Sequence, residues 1–311
     1  MSSAYGYNSY GGPENETWLD RSVPTPGPSE LVIEVKAVGV NPADHKIRSG
    51  AMANPEATPD FPLVLGVEAA GVVVDVGSDV DGFRTGEAVL GKAAPEHGTY
   101  AEHAVLLAED TTKKPPQLSF VQAAALSVAG GTAWDVLEQL DVAEGRTLLI
   151  NGIGGGVGVM AAQLARNRGV AVFGTGSESK RALVESLGAT LVPYDDGGDV
   201  VEQMRALLPD GVDAVFDLVG GPSMQQVASL VTNPARIVSV ADPGVNGLGG
   251  HFVVAGSGGV PQMAALVADG KVDPKVLQTY PFDEAAQALR AVESGHVLGK
   301  IVIDMEQATQ T

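Results

Sequence analysis

A glycine-rich stretch that follows an apolar run has the clearest capacity for chemistry in this chain. Residues 147–158, TLLINGIGGGVG, predict a buried strand, a tight turn and the start of an alanine-rich helix. Glycines let the backbone approach a pyrophosphate closely, and the first amides of the helix then point towards the anion. The strict GxGxxG pattern is not met, because Ile153 stands at its first position and the spacing present is GxxGxxG.

We therefore predict a dinucleotide-binding turn in this stretch. The alternative is an ordinary tight turn of an α/β protein, since glycine is common in this chain, with 40 residues. The residues predicted to surround the pyrophosphate are Gly152, Gly155, Gly156, Val157 and Gly158.

Strands alternate with helices from Phe120 onwards, and this alternation would position the turn. Strands are predicted over 147–151, 171–175, 190–193, 213–219, 236–241 and 251–255. Helices are predicted over 157–168, 178–187, 199–208, 222–231 and 260–269, with a further helix pair in 120–140 interrupted at Gly130 and Gly131. Such alternation predicts a doubly wound parallel sheet that binds its ligand at the carboxyl ends of the strands.

Residues 4–120, in contrast, are rich in short strands. These are predicted over 31–38, 71–76, 87–91 and 99–107, between Gly and Pro turns, and suggest a compact barrel-like domain. The segment after Tyr280 predicts one amphipathic helix and one strand that return to this domain. A chain of 311 residues is long enough for two domains. We expect the parallel sheet over 122–259, and the barrel-like domain over 1–121 with 260–311 as the segment that completes it.

Composition narrows the chemistry and the partners. The chain has no cysteine, which excludes disulfides, thiolate nucleophiles and sulfur-ligated zinc. Its formal net charge of −19 argues against nucleic acid or an anionic membrane as a partner, so an anionic ligand must meet a local cluster of positive charge. No apolar run is long enough to cross a bilayer and the first residues lack a signal-peptide pattern, so we expect a cytoplasmic protein.

The end of the second strand of the parallel sheet predicts which nicotinamide cofactor binds. In NAD-binding proteins of this fold an acidic residue at this position binds the ribose hydroxyls, but here Ser177 occupies it. Lys180 and Arg181 follow in the first helical turn, where cations oppose the helix dipole unless a phosphate neutralises them. These residues favour NADPH through its 2′-phosphate. The alternatives are a serine-capped surface helix with solvated cations, or NADH bound through Glu178.

Several motifs, in order along nearly the whole chain, resemble one family. They are YGGPE near the start, VGVNPADHKIRSG at 38–50, GVEAAGVVVDVG at 66–77, GTYAEH at 98–103, AGGTAWDVL at 129–137, the glycine turn, FDLVGG at 216–221 and ESGHVLGKIVI at 293–303. With them the chain resembles the zinc-free quinone oxidoreductase branch of the medium-chain dehydrogenase/reductase superfamily. The resemblance implies an α/β fold, with a GroES-like β-barrel catalytic domain, a Rossmann cofactor domain and NADPH in the cleft between them.

The resemblance also implies roles for individual residues. Asn41 and Asp44 would lie beside the nicotinamide and its ribose as catalytic residues, although Asn41-Pro42-Ala43-Asp44 is also a good helix start. The other residues that it places near the cofactor are Thr132, Tyr194, Val240, Ala241 and Phe252.

No metal is expected in this chain. Zinc-using relatives carry Cys where this chain has Asn41 and His where it has Val67. The chain's histidines also show no metal-ligand spacing; they are His45, His97, His103, His251 and His296.

The reaction that the resemblance implies is hydride transfer to a quinone or an α,β-unsaturated carbonyl compound, which asks the protein mainly to position the nicotinamide and exclude water. Enoyl reductase relatives often carry a tyrosine where this chain has Ser49-Gly50-Ala51-Met52, which leaves solvent, His45 or Lys46 as the proton donor. An enoyl-thioester reductase and a non-catalytic NADPH-binding protein are the alternatives. We also expect a homodimer that pairs near 251–255, and a glycine-rich lid within 241–262.

Overall fold

The computed structural model describes residues 1–53, 59–253, 256 and 258–307. Its strands are β1 (Ser2–Tyr7), β2 (Glu16–Arg21), β3 (Glu30–Val40), β4 (Leu63–Val64), β5 (Glu68–Val76), β6 (Ala88–Ala93), β7 (His103–Lys113), β8 (Thr147–Asn151), β9 (Ala171–Gly176), β10 (Thr190–Pro193), β11 (Ala214–Asp217), β12 (Ile237–Ser239), β13 (His251–Phe252), β14 (Val276–Pro281) and β15 (Lys300–Asp304). Its α-helices are α1 (Pro42–Arg48), α2 (Phe120–Ala124), α3 (Ala129–Leu140), α4 (Gly156–Asn167), α5 (Arg181–Ser186), α6 (Val200–Leu207), α7 (Gly221–Ala228), α8 (Val260–Ala268) and α9 (Ala285–Glu293). Within the described residues, none of these helices is long and apolar enough to span a membrane.

The chain divides into two compact units. The first unit comprises Met1–Val128, Val260–Ala268 and Val276–Thr311, and the second comprises Ala129–Gly259 and Asp269–Lys275.

The first unit is built around a closed arrangement of antiparallel strands. Its larger sheet has the order β14-β15-β3-β5-β6-β7, and β3 also pairs with β7, which closes a barrel. The long strand β3 pairs with β5 along most of its length, with β7 through residues 30–34 and with β15 through residues 37–40. Its apolar residues, such as Ile33, Val35 and Val38, are buried in the core of this unit. The returning strand β15 adds Ile301 and Ile303 to the same core, beside β3. A GroES-like barrel was the expected fold, and it is confirmed.

An N-terminal hairpin that the strand patterns did not predict belongs to the first unit. Strands β1 and β2 pair antiparallel and, with β4, form a small sheet of the order β2-β1-β4. Tyr5 and Trp18 face each other across the hairpin, with ring centroids 4.9 Å apart. The segment is rich in Gly, Ser and Asn, which disguises the alternation that a strand normally shows.

A buried arginine fastens this hairpin to helix α1. Arg48, at the end of α1, is 1% exposed and forms ion pairs with Glu16 of β2 and, at 2.8 Å, with Glu293 of α9. Its Nε also donates to the carbonyl oxygen of Gly11, at 3.2 Å. Moving one member of a buried ion pair leaves the other charge buried and unpaired, which is unfavourable, so this cluster holds α1 in one position.

The second unit contains a parallel sheet of the order β10-β9-β8-β11-β12-β13. The strands run outwards from β8 in both directions, so the order reverses between β8 and β11. In sheets of this kind ligands bind beyond the carboxyl ends of the strands at that reversal. Leu148, Leu149 and Ile150 of β8 are fully buried, as a strand covered by helices on both faces requires. The predicted doubly wound parallel sheet is confirmed.

Some predicted boundaries are wrong. The break between α2 and α3 lies at residues 125–128, and Gly130 and Gly131 are buried inside α3 instead of interrupting the helix pair. A sequence pattern cannot distinguish a buried glycine inside a helix from a glycine that breaks the helix. Strand β7 extends to Lys113, beyond the predicted end, whereas β11 and β12 stop at Asp217 and Ser239. Those two side chains bond to the turns that follow them, which ends each strand early.

Candidate active site

The glycine turn of the second unit has the geometry of an anion cradle. Gly152, directly after β8, has φ +89°, a conformation that favours glycine. Gly155 is the N-cap of α4, and because it has no side chain it cannot cap the first amides of the helix. A Cβ added at Gly158 would lie 2.5 Å from the carbonyl oxygen of Ile153, so the helix and the turn approach more closely than a side chain allows.

The turn therefore fits a dinucleotide diphosphate. The structure brings Gly152, Gly155, Gly156, Val157 and Gly158 together at the start of α4, where the helix dipole and the first backbone amides of the helix favour negative charge. These residues would hold the diphosphate of a nicotinamide cofactor.

Lys180 lies against the same turn. A Cβ added at Gly154 would approach Lys180 Cδ to 2.3 Å, so the lysine stem runs across the turn. Burial lowers the pKa of Lys180. Ser177, which follows β9 directly, shares a 2.8 Å hydrogen bond with the hydroxyl of Ser179 and carries no charge. The Tyr194 amide donates to the Gly176 carbonyl oxygen at 3.1 Å, and its side chain is 56% exposed near the end of β9.

Arg181 pairs instead with two nearby glutamates. Its guanidinium donates to both carboxylate oxygens of Glu178, at 2.5 and 2.7 Å, and to Glu185 at 3.2 Å. The hydrogen bonds with Glu178 and then Glu185 raise the pKa of Arg181, and the bond with Arg181 lowers the pKa of Glu178. The sequence suggests an equal role for Lys180 and Arg181, but the structure separates them.

The remaining predicted cofactor residues of the second unit are spread over three elements. Val240 and Ala241 follow the end of β12, and the Ala241 amide donates to Ser239 Oγ at 3.1 Å. Thr132 is buried in the first turn of α3. Phe252 on β13 is half-buried and packs against the hydrophobic core of this unit.

Glu68 and Lys300 of the first unit form a buried ion pair beside Asn41, which the sequence patterns did not predict. Lys300 Nζ donates to Glu68 Oε1 at 2.9 Å, to Asn41 Oδ1 at 2.8 Å and to the Val40 carbonyl oxygen at 3.2 Å. Asn41 Nδ2 in turn donates to Glu68 Oε1 at 2.8 Å, and the Val128 amide donates to Glu68 Oε2 at 2.6 Å. Glu68 is 0% and Lys300 3% exposed, so the side chain of Asn41 has one fixed orientation.

Asp44 is also fully buried, three residues along α1. Its Oδ2 accepts hydrogen bonds from the backbone amide of Asn41 at 2.8 Å and from the Tyr100 hydroxyl at 3.0 Å. Asp44 Oδ1 has no hydrogen-bond partner in the described part of the chain. Removal from water raises the pKa of the Asp44 carboxyl to about 7, even though both hydrogen bonds and Lys300 act in the opposite direction.

The signals for these missed residues were present but weak. Glu68 and Lys300 are charged residues within otherwise apolar strand segments, GVEAAG and GKIVI, where a charge needs a buried partner. Neither segment identifies the partner. For metals, no group of three or more His, Asp or Glu side chains converges within the described ranges, and the sequence has no cysteine.

Comparison with known proteins agrees with this architecture. Residues 27–116 match the family described as alcohol dehydrogenase GroES-like domain, and residues 187–303 match the family described as zinc-binding dehydrogenase. The 2-methylene-furan-3-one reductase of Solanum lycopersicum is 33% identical over 318 residues, covering 96% of this chain and 78% of that protein.

Solved structures extend the similarity to the whole fold. The quinone oxidoreductase from Coxiella burnetii superposes with a TM-score of 0.87 at 30% identity, covering 98% of this chain and 99% of that one. Escherichia coli quinone oxidoreductase, complexed with NADPH, gives 0.85 at 26% identity, covering 97% and 99%.

The fold, the glycine turn and the similarity to these oxidoreductases together identify an NAD(P)H-dependent oxidoreductase. The chain belongs to the medium-chain dehydrogenase/reductase superfamily. Within that superfamily it is a member of the zinc-free quinone oxidoreductase type, as the sequence motifs predicted.

Proposed function

We propose that this enzyme uses NADPH to reduce a quinone or an α,β-unsaturated carbonyl compound, without a metal. The observation that carries the cofactor choice is the position of Lys180, whose stem crosses the glycine turn while the uncharged Ser177 follows β9. A cation beside the turn suits a 2′-phosphate, and a serine does not repel it. The solved structure of a relative with NADPH and the enone reductase among the relatives support the proposal.

The bound nicotinamide would supply the hydride, and the chain's own residues would bind and orient it. The glycine turn holds the diphosphate through backbone amides, and Ser177, Lys180 and Tyr194 serve the adenosine phosphate. Asn41 and Asp44 position the nicotinamide and its ribose, and Glu68 and Lys300 fix the side-chain amide of Asn41. Fixed polar groups suit hydride transfer, because the reacting carbons must be held in one geometry.

Substitution of Lys180 tests the cofactor choice. We expect Lys180→Ala to weaken NADPH binding by roughly 10- to 100-fold, the value of a charge-assisted hydrogen bond, and to change NADH binding little. Arg181→Ala is the matched control and should change neither affinity strongly, because Arg181 is engaged by Glu178 and Glu185. Calorimetric titration of each variant with both cofactors measures the effects. An equal loss of both affinities in Lys180→Ala would contradict the phosphate assignment.

Cofactor oxidation tests the reaction itself. Purified protein mixed with NADPH and 9,10-phenanthrenequinone should lose the absorbance of the reduced cofactor, and a simple enone should be tested in parallel. Turnover of an enoyl thioester alone would favour the thioester reductase instead. NADPH binding without oxidation by any acceptor would favour a non-catalytic binding protein.

We also propose a homodimer that pairs at the edge of the parallel sheet. Strand β13 is at that edge in the described sheet, and Val254 and Ala255 of the predicted pairing segment lie outside the described residues. Sedimentation as a monomer would contradict the dimer.

The predicted lid also lies partly outside the described residues; its described portion includes a short 3-10 helix, Pro243–Leu248. The cytoplasmic location stays a prediction from the sequence.

A further inference from the structure

A buried polar network joins the carboxyl ends of four neighbouring strands in the second unit. Asn151 Nδ2 donates to Asp217 Oδ1 at 2.7 Å, and Ser239 Oγ donates to Asp217 Oδ2 at 2.6 Å. Thr175 Oγ1 donates to Asn151 Oδ1 at 2.6 Å. None of the four residues is more than 3% exposed. The network therefore lies beneath the edge of the sheet at which a dinucleotide would bind.

Thr175 is the member of this network that reaches the glycine turn. Its hydroxyl accepts a hydrogen bond from the Gly152 amide at 3.0 Å while it donates to Asn151. Its carbonyl oxygen accepts from the next amide, that of Ile153, at 3.1 Å. Both amides at the start of the turn are thus held by one residue of the adjacent strand β9.

We propose that Thr175 is a positioning residue for dinucleotide binding, whose hydroxyl fixes the glycine turn in the conformation that receives the diphosphate. This inference rests on the proposed cofactor function and adds a residue that touches the turn but not the cofactor. Loss of the hydroxyl leaves the Gly152 amide without its partner in a buried site. It also removes one of the two hydrogen bonds to Asn151 Oδ1, which keeps the bond from Ser223 Oγ at 3.1 Å. The turn must then rearrange to satisfy the Gly152 amide, and the cradle is no longer preformed.

The near-isosteric variant Thr175→Val tests this role. We expect the Kd values of NADPH and NADH to rise by the same factor, about tenfold, which is the typical effect of one lost hydrogen bond in a buried network. The kcat at saturating cofactor should stay close to that of the wild type, since the groups around Asn41 are unchanged. Thr175→Ser, which keeps the hydroxyl, should bind both cofactors as the wild type does.

Thr147→Val is the matched control at the opposite end of strand β8. The Thr147 hydroxyl donates to Asp213 Oδ2 at 2.8 Å and accepts from the Asp213 amide at 2.9 Å, so the substitution also removes two hydrogen bonds. Thr147→Val should lower the thermal unfolding midpoint without changing either Kd, measured well below that temperature. Should Thr175→Val fail to fold, Thr175→Ala and Thr175→Ser differ only by the hydroxyl and should differ about tenfold in Kd.

The outcomes separate this inference from the function on which it rests. Unchanged affinities in folded Thr175→Val, or an equal loss of affinity in Thr147→Val, would overturn the positioning role and leave the cofactor proposal intact. A larger loss for NADPH than for NADH would also overturn it, because the diphosphate is common to both. A wild-type protein that binds neither cofactor would instead overturn the proposed function.

Discussion

Replacement of Lys300 by methionine should lower the free energy of unfolding by about 3–5 kcal/mol, the usual effect of removing one partner of a buried ion pair. Methionine fills a similar volume but cannot neutralise Glu68, which is 0% exposed and accepts hydrogen bonds from Lys300, Asn41 and the Val128 amide. The variant leaves a carboxylate buried without its counter-charge. Denaturant unfolding monitored by circular dichroism measures the loss.

Two further variants separate the ion pair from the packing of the side chains. Glu68→Gln alone should also destabilise strongly, because it leaves the Lys300 ammonium buried and unpaired. The double variant Glu68→Gln with Lys300→Met should recover much of the loss, since neutral groups of similar volume can replace a buried pair at little cost. Additive effects of the two substitutions would contradict a direct interaction.

A lysine at the surface gives the scale for comparison. Lys36 pairs with Glu34 at 2.8 Å, but the two side chains are 23% and 48% exposed. Lys36→Met should therefore change the free energy of unfolding by about 1 kcal/mol or less. A similar loss in Lys36→Met and Lys300→Met would mean that burial does not decide the strength of the pair.

Lys300→Met should also reduce activity. The ammonium donates to Asn41 Oδ1 at 2.8 Å, and without it the side-chain amide is held only through Nδ2, by Glu68 and the Gly39 carbonyl oxygen, and is less firmly oriented. If Asn41 orients the nicotinamide, kcat should fall in the folded variant while the Kd of NADPH, set largely by the glycine turn, changes less.

The parts of the site that the sequence predicted are local in the chain. The glycine turn is a strand, a turn and a helix within about a dozen residues, so its pattern and its geometry are nearly the same information. The buried ion pair is different, because Lys300 and Glu68 are 232 residues apart and meet only when β15 returns to the barrel. No spacing rule connects them.

Side-chain direction was also beyond the sequence. Lys180 and Arg181 are adjacent and equally charged, yet one lies along Gly154 and the other pairs with Glu178 and Glu185. A short 3-10 turn, Glu178–Lys180, precedes α5 and decides which side chain faces the glycine turn. Likewise, Thr175 reads as an ordinary β-branched strand residue, and its bond to Gly152 requires that β8 and β9 be neighbours.

The free energy of unfolding should fall as the pH rises from about 4 to about 7, through the contribution of Asp44. Burial raises the pKa of its carboxyl to about 7 in the folded protein, against about 3.9 in the unfolded chain. Between these values the unfolded chain has released the proton and the folded protein still holds it, so increasing pH favours unfolding. Within this range Asp44 lowers the free energy of unfolding by about 1.4 kcal/mol for each pH unit, or by about 4 kcal/mol in total. Below both pKa values the carboxyl is protonated in both states and has no such effect.

Asp44→Asn should remove this dependence. The amide oxygen can accept from the Asn41 amide and the Tyr100 hydroxyl as Oδ2 does, and the NH₂ group takes the place of Oδ1. Relative to the wild type, the variant should therefore gain stability between pH 4 and pH 8, measured by denaturant unfolding at several pH values. Asp242→Asn is the control with the opposite sign, because hydrogen bonds from the Gly221 and then the Gly244 amide lower the pKa of Asp242. Parallel stability curves for the wild type and Asp44→Asn across this range would show that the carboxyl of Asp44 is ionised in the folded protein.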